Sequence, residues 1–121
     1  MNERRRYARF QVPDDFLVFS HEAAGIGWIK DISLGGLSYE YIPTGIMNID
    51  QDRIDIFAHN QKRFFLPGLL CTRIYDRDGI EGPEGSSSVK FRHCGVQCHN
   101  LTQEQEIRLD LLLHNHCSNF R

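Results

Sequence analysis

The chain contains no apolar run long enough to cross a bilayer. Its longest such stretch, Phe64 to Cys71, falls far short of the ~20 residues a membrane-spanning helix needs. The amino terminus, MNERRRYARF, has the charge of a secretion signal but no apolar segment behind it. The protein therefore reads as soluble and not secreted. Four cysteines, Cys71, Cys94, Cys98 and Cys117, are too few for a disulfide scaffold in 121 residues, so a reducing cytoplasm is the expected location. A basic excess is also lacking. Lys plus Arg is 14 against 16 for Asp plus Glu, a net charge of −2, which excludes a wholesale cationic surface for duplex nucleic acid. No residue type dominates, with 40% hydrophobic and 25% charged residues, so disordered and collagen-like classes are excluded. Gly-x-Ser-x-Gly, His-Glu-x-x-His, phosphate-binding and dinucleotide glycine motifs do not occur. No nucleophile–base arrangement stands out, and Asp14, Asp15, Asp50 and Asp52 read as solvated turn carboxylates. A non-catalytic binding module is the expected class.

What is present is unevenly placed. The first ten residues hold Arg4, Arg5, Arg6 and Arg9 against one acid, Glu3, a net +3. With the whole chain at −2, the remainder carries −5, so a cationic arm precedes a mildly acidic body. The four arm cations are all Arg, whose planar fork of donors matches phosphate oxygens and the guanine edge. Taken alone, such an arm also fits a solvated basic tail.

The body reads as short strands separated by turns. Phe16 to Ser20, Ile26 to Ile32, Leu37 to Ile42, Arg53 to Ala58, Arg63 to Tyr75 and Val89 to His99 carry strand-forming residues or alternation. The Arg63–Tyr75 segment reads as one strand or as two pinched at Pro67-Gly68. Along Ile26–Ile32 the alternation sets Ile26, Trp28 and Lys30 on one side and Gly27, Ile29 and Asp31 on the other. Asp76 to Ser88 reads as a mobile polar loop. At Thr102 the pattern changes. Thr102-Gln103-Glu104-Gln105 matches a capping box, and Ile107, Leu109, Leu111, Leu112, Leu113 and His116 follow at near-helical spacing. Strands without interleaved helices, then one helix over about 102–116, predict a mainly β antiparallel barrel or sandwich with the helix over one open end.

Two motifs carry chemistry. Arg5 and Arg9 form an RxxxR spacing. Asp31-Ile32-Ser33-Leu34-Gly35-Gly36 is a DxSxxG turn between two strands. Asp31 offers acceptors and Ser33 a hydroxyl. Gly35 and Gly36 permit positive φ and leave room for a ligand against bare backbone. A carboxylate complements the N–H donors of a guanine Watson–Crick edge, and Arg complements guanine O6 and N7 or phosphate. A ligand with guanines and phosphates would satisfy every member.

In these residues the chain resembles the PilZ domain, a bacterial cyclic di-GMP receptor whose signature is RxxxR followed downstream by Asp/Asn-x-Ser-x-x-Gly. Arg5, Arg9, Asp31, Ser33 and Gly36 match each specified position. Gly36-Leu37 with its strand, Gly95-Val96-Gln97-Cys98, and Leu101-Thr102 with the closing helix extend the likeness over essentially the whole chain. Cys98 departs from it, standing where the family usually has Phe.

The resemblance implies a six-stranded antiparallel β-barrel, the split-barrel form, with a C-terminal helix. Residues 1–12 would form an Arg-rich arm, mobile when empty, and 13–121 the single barrel domain. It also implies a cyclic di-GMP site built from Arg4, Arg5, Arg6, Arg9, Asp31, Ser33, Gly35 and Gly36. Arg4, just before the arm motif, supplies a third guanidinium for a second stacked nucleotide, so two cyclic di-GMP molecules per chain are expected. No other cofactor is expected. Output would pass to a protein partner controlling motility, biofilm or exopolysaccharide. Alternatives are an adaptor of the same fold without useful nucleotide affinity and a general anion or nucleic-acid binder using the arm. The cluster His93, Cys94, Cys98, His99, His114, His116 and Cys117 invites a zinc reading. On a strand, however, Cys94, Val96 and Cys98 share one face, so the cysteines read as small core residues and no metal is expected.

Overall fold

The computed structural model describes residues 9–13, 15–45, 48–58, 63–79, 90–116 and 118–119. The alternating segments form strands: β1 (Phe10–Gln11), β2 (Phe16–Ser20), β3 (Gly25–Ile32), β4 (Gly36–Tyr41), β5 (Gln51–Ala58), β6 (Phe65–Asp78) and β7 (Arg92–Cys98). Helix α1 (Gln103–His116) and a two-residue strand, β8 (Ser118–Asn119), follow. Strands β2 to β7 pair antiparallel in the ring order β2–β5–β6–β7–β4–β3, and β3 returns to β2 to close a six-stranded barrel. Closure leaves no long unpaired edge among these six strands. Strand β1 lies against the end of β3 and itself pairs with β8.

Inward residues of the strands make one core: Phe16 and Val18 of β2, Ile29 and Ile32 of β3, Leu37 and Tyr39 of β4, Ile54 and Ile56 of β5, Leu66 and Leu69 of β6. The helix adds Leu109, Leu112 and Leu113, a single stripe at i, i+3 and i+4. Ile107 and Leu111, grouped with that stripe by the sequence pattern, are exposed instead.

The capping box forms as expected. The Gln105 N–H donates to Thr102 Oγ1 at 3.1 Å, and the Thr102 N–H donates to Gln105 Oε1 at 3.0 Å. Gln105 Nε2 also donates to the Pro67 and Gly68 carbonyls, tying the first helical turn to β6. Thr102→Ala removes one cap acceptor and is expected to cost about 1 kcal/mol. Thermal denaturation followed by circular dichroism checks this, with Tm lowered by about 4 °C.

Two features differ from the sequence reading, and one open choice is resolved. Residues 65–78 form one 14-residue strand, the first of the two forms the sequence allowed. The register against β5 shifts near Pro67-Gly68, where Gly68 takes φ +72° and donates its N–H to Asp55 Oδ1 at 2.8 Å. A left-handed residue with its own hydrogen bond absorbs the irregularity, so pairing resumes beyond it. Strand β6 then runs through Asp76–Asp78, which the sequence assigned to the loop. The expected loop residues 80–88 lie outside the described residues. Asp52, read as a solvated turn carboxylate, is buried in β5. It accepts from Ser20 Oγ at 2.7 Å and from the Glu22 and Arg53 N–H groups, so burial leaves it paired.

The second half of β6 also places charge on the inward side. The register against β7 shifts between Arg73 and Tyr75, so Ile74 is an extra residue and lies exposed. This bulge turns Asp76 to the same side as Arg73. Arg73, with a side chain only 7% exposed, donates to Asp76 Oδ2 at 2.7 Å and lies over the Tyr41 ring. Tyr41 donates to the same carboxylate oxygen, and Arg92 Nε reaches Asp76 Oδ1 at 2.7 Å. Burial and the hydrogen bond to Asp76 push the Tyr41 hydroxyl up to about 12.

Candidate functional site

The site starts from a pairing of two short segments. Phe10 pairs with Ile32 and Gln11 with Asp31, which sets Arg9 beside the end of β3. Arg9 Nε donates to Asp31 Oδ1 at 3.1 Å, and its terminal nitrogen donates to Oδ2. Both side chains are partly exposed, at 25% and 18%. This is a bidentate guanidinium–carboxylate pair joining the two motifs. Ser38 of β4 donates a further hydrogen bond to Asp31 Oδ2 at 2.9 Å.

Asp31 reaches this surface through a bulge. The β3–β4 register shifts between Ile29 and Asp31, leaving Lys30 as the extra residue. Ile29 and Ile32 are both buried, while Lys30 and Asp31 between them face outward. Simple alternation sets Asp31 on the side of Ile29. The bulge reverses that placement.

Ser33 closes the turn. Its N–H donates to the Gly36 carbonyl at 2.8 Å, and its hydroxyl oxygen accepts from the Gly35 N–H at 3.1 Å. The Gly35 carbonyl then accepts from the Cys98 N–H at 2.9 Å, fastening the turn to β7. A serine hydroxyl bonding the backbone two residues on is a local turn-former, so Ser33 shapes the loop beside the carboxylate. Neither Gly35 nor Gly36 uses the positive φ that glycine permits. Glycine at 36 has a steric reason. A Cβ there would lie 2.2 Å from the Val96 carbonyl oxygen, so only a bare Cα lets β4 start against β7.

The surface continues across the barrel. By register, Asp31 faces Ser38, Ser38 faces Gly95 and Gly95 faces Tyr75. The Tyr75 ring lies over the bare Cα of Gly95, where a Cβ would come within 2.3 Å of it. The same ring stacks on His93 at 5.7 Å and 14°, and Arg77 covers it at 4.6 Å. The row thus runs from a carboxylate to a planar aromatic platform. Sequence reasoning named neither Ser38 nor Tyr75. The one available signal was Gly95 within a strand, which marks close approach of a neighbour.

Of the expected site residues, Arg9 and Asp31 meet directly, and Ser33, Gly35 and Gly36 form the adjoining turn. Arg4, Arg5 and Arg6 lie outside the described residues. Of the histidine–cysteine cluster, Cys117 lies outside the described residues, and β7 sets its own members on two sides. Cys94 is buried inward and Cys98 half-buried on the same side, while His93 faces outward against Tyr75. Burial pushes the Cys98 thiol up to about 12 and the Cys94 thiol up to about 11. Among the described residues no three His, Cys, Asp or Glu side chains stand together as metal ligands. Nor is any described helix long and apolar enough to cross a membrane.

The solved PilZ domain of YcgR from Escherichia coli, described with c-di-GMP, superposes with TM-score 0.71 at 15% identity, covering 94% of this chain and 92% of that one. YcgR from Escherichia coli in complex with c-di-GMP superposes with TM-score 0.64 at 16% identity, covering 92% of this chain and 45% of that one. This chain therefore spans a little under half of that longer protein. At such identity the likeness concerns the fold. No curated protein matches the sequence. The family model of the PilZ domain matches residues 3–115, nearly the full length, and the chain belongs to the PilZ domain family.

Proposed function

We propose that this protein is a non-catalytic cyclic di-GMP receptor that passes its bound state to a partner protein. The observation that carries the reading is the Arg9–Asp31 pair, which unites the arm motif and the glycine turn on one partly exposed surface. Asp31 supplies acceptors for the N–H donors of a guanine edge. Arg9, with Arg5 ahead of it in sequence, supplies donors for phosphate or for guanine O6 and N7. Family membership and the cyclic di-GMP named for the YcgR structures point the same way.

Binding energy comes from charge-assisted hydrogen bonds, each contributing roughly 1.5–3 kcal/mol. A few of them offset the ~0.5–1.5 kcal/mol of ordering per immobilised side chain. In this reading ligand draws the arginines onto the nucleotide, and the rearranged surface is what a partner distinguishes. Motility, biofilm and exopolysaccharide control are the processes in which such an output fits, in the bacterial cytoplasm. Arg4 gives the second stacked nucleotide its guanidinium.

Isothermal titration with cyclic di-GMP tests the proposal. Saturable binding at two equivalents per chain, not displaced by GTP or single-stranded DNA, is the expected result. Equal competition by GTP or DNA would assign the arm to general anion binding. No binding by any of them would leave an adaptor of the same fold.

A further inference from the structure

Taking the cyclic di-GMP reading as its basis, the geometry points to Ser38 as the residue that holds Asp31 in its guanine-reading orientation. A carboxylate has about four lone-pair positions, two on each oxygen. In this structure Oδ1 accepts from Arg9 Nε, while Oδ2 accepts from both Arg9 and Ser38. Three positions are occupied, and Oδ2 has none left.

A guanine edge presents two parallel N–H donors and needs one acceptor site on each oxygen. It cannot dock while Arg9 and Ser38 both hold Oδ2, so one of them leaves. Arg9 is the one able to do so, because its long side chain is partly exposed beside the open face. Ser38 is 3% exposed, sits within β4 and has a one-carbon side chain. Its hydroxyl cannot follow the ligand. When Arg9 transfers to the nucleotide, Ser38 keeps one position on Oδ2 and leaves three free. That is enough for both guanine donors. The β3 bulge is what makes the contact, since it sets Asp31 opposite Ser38 on the outer face. Ser38 is thus a positioning residue that acts through Asp31 and touches no ligand atom in this scheme.

The test measures affinities of the full chain and its Ser38 variants for cyclic di-GMP and for cyclic di-IMP. The second ligand lacks the exocyclic amine and offers Asp31 one donor in place of two. Ser38→Ala is expected to weaken cyclic di-GMP binding about tenfold, the loss of one hydrogen bond to a charged group. It is also expected to shrink the preference for cyclic di-GMP over cyclic di-IMP, because a freely turning carboxylate no longer meets two donors together. Ser38→Thr retains the hydroxyl and restores both quantities. Ser38→Cys, similar in size with a weak donor, behaves like alanine and serves if the alanine variant does not fold. Equal loss for both ligands would reduce Ser38 to a packing role and overturn the inference. So would unchanged cyclic di-GMP affinity in Ser38→Ala, while leaving the receptor reading standing. Absence of cyclic di-GMP binding by the unmodified protein would overturn both.

Discussion

Asp31→Ala and Arg9→Ala are each expected to abolish tight cyclic di-GMP binding while leaving the barrel folded. Asp31 is the carboxylate that Arg9 meets where the two motifs join, and a guanine edge places two donors on it. At roughly 1.5–3 kcal/mol for each hydrogen bond to a charged group, losing both weakens affinity by a factor of about one hundred or more. Arg9→Ala removes a donor fork and leaves Asp31 held by Ser38 alone. Neither residue belongs to the apolar core. Their partly exposed pair contributes at most about 1 kcal/mol to stability, so Tm falls by only a few degrees. Calorimetric titration and a thermal melt on the same samples separate the two effects. Unchanged affinity in either variant would remove the receptor assignment. A collapsed melt would move the pair from ligand recognition to folding.

Arg73→Ala is expected to produce the largest loss of stability. This guanidinium points inward with a side chain 7% exposed, and Asp76, Tyr41 and Tyr39 surround it. Truncation leaves the Asp76 carboxylate, itself only 22% exposed, dependent on Arg92 and Tyr41. Breaking one side of a buried pair costs about 3 kcal/mol or more. For a domain of this size that lowers Tm by about 12 °C. Arg73→Lys keeps the charge without the planar fork and is expected to fall between the two. Chemical denaturation monitored by the single tryptophan, Trp28, measures all three proteins. A loss below about 1 kcal/mol in Arg73→Ala would show that the cluster is solvated enough to do without it.

The sequence was most legible where one residue pattern answers to one local cause. Thr102 and Gln105 stand three apart and make a reciprocal cap because each offers what the other's backbone lacks. Phe16–Ser20 is rich in aromatic and branched residues and forms a strand between β3 and β5, with Phe16, Val18 and Ser20 buried. The candidate site was legible because Asp31, Ser33 and Gly36 lie within one short turn, and the arm arginines lie together in sequence. Tyr75, His93 and Ser38 were not legible, since they come from three strands that only pairing brings side by side.

The sequence by itself determined the six barrel strands, the helix after them, the cap of that helix and the residue types of the two motifs. These depend on residues a few positions apart, whose preferences act before any long-range contact forms. Tertiary structure decided which way the decisive side chains face. A single extra residue at Lys30 turns Asp31 outward to meet Arg9 and Ser38. Another at Ile74 turns Asp76 inward to meet Arg73. A strand's alternation has period two, so one inserted residue inverts every assignment beyond it, and the partner strand's register alone fixes where that insertion falls.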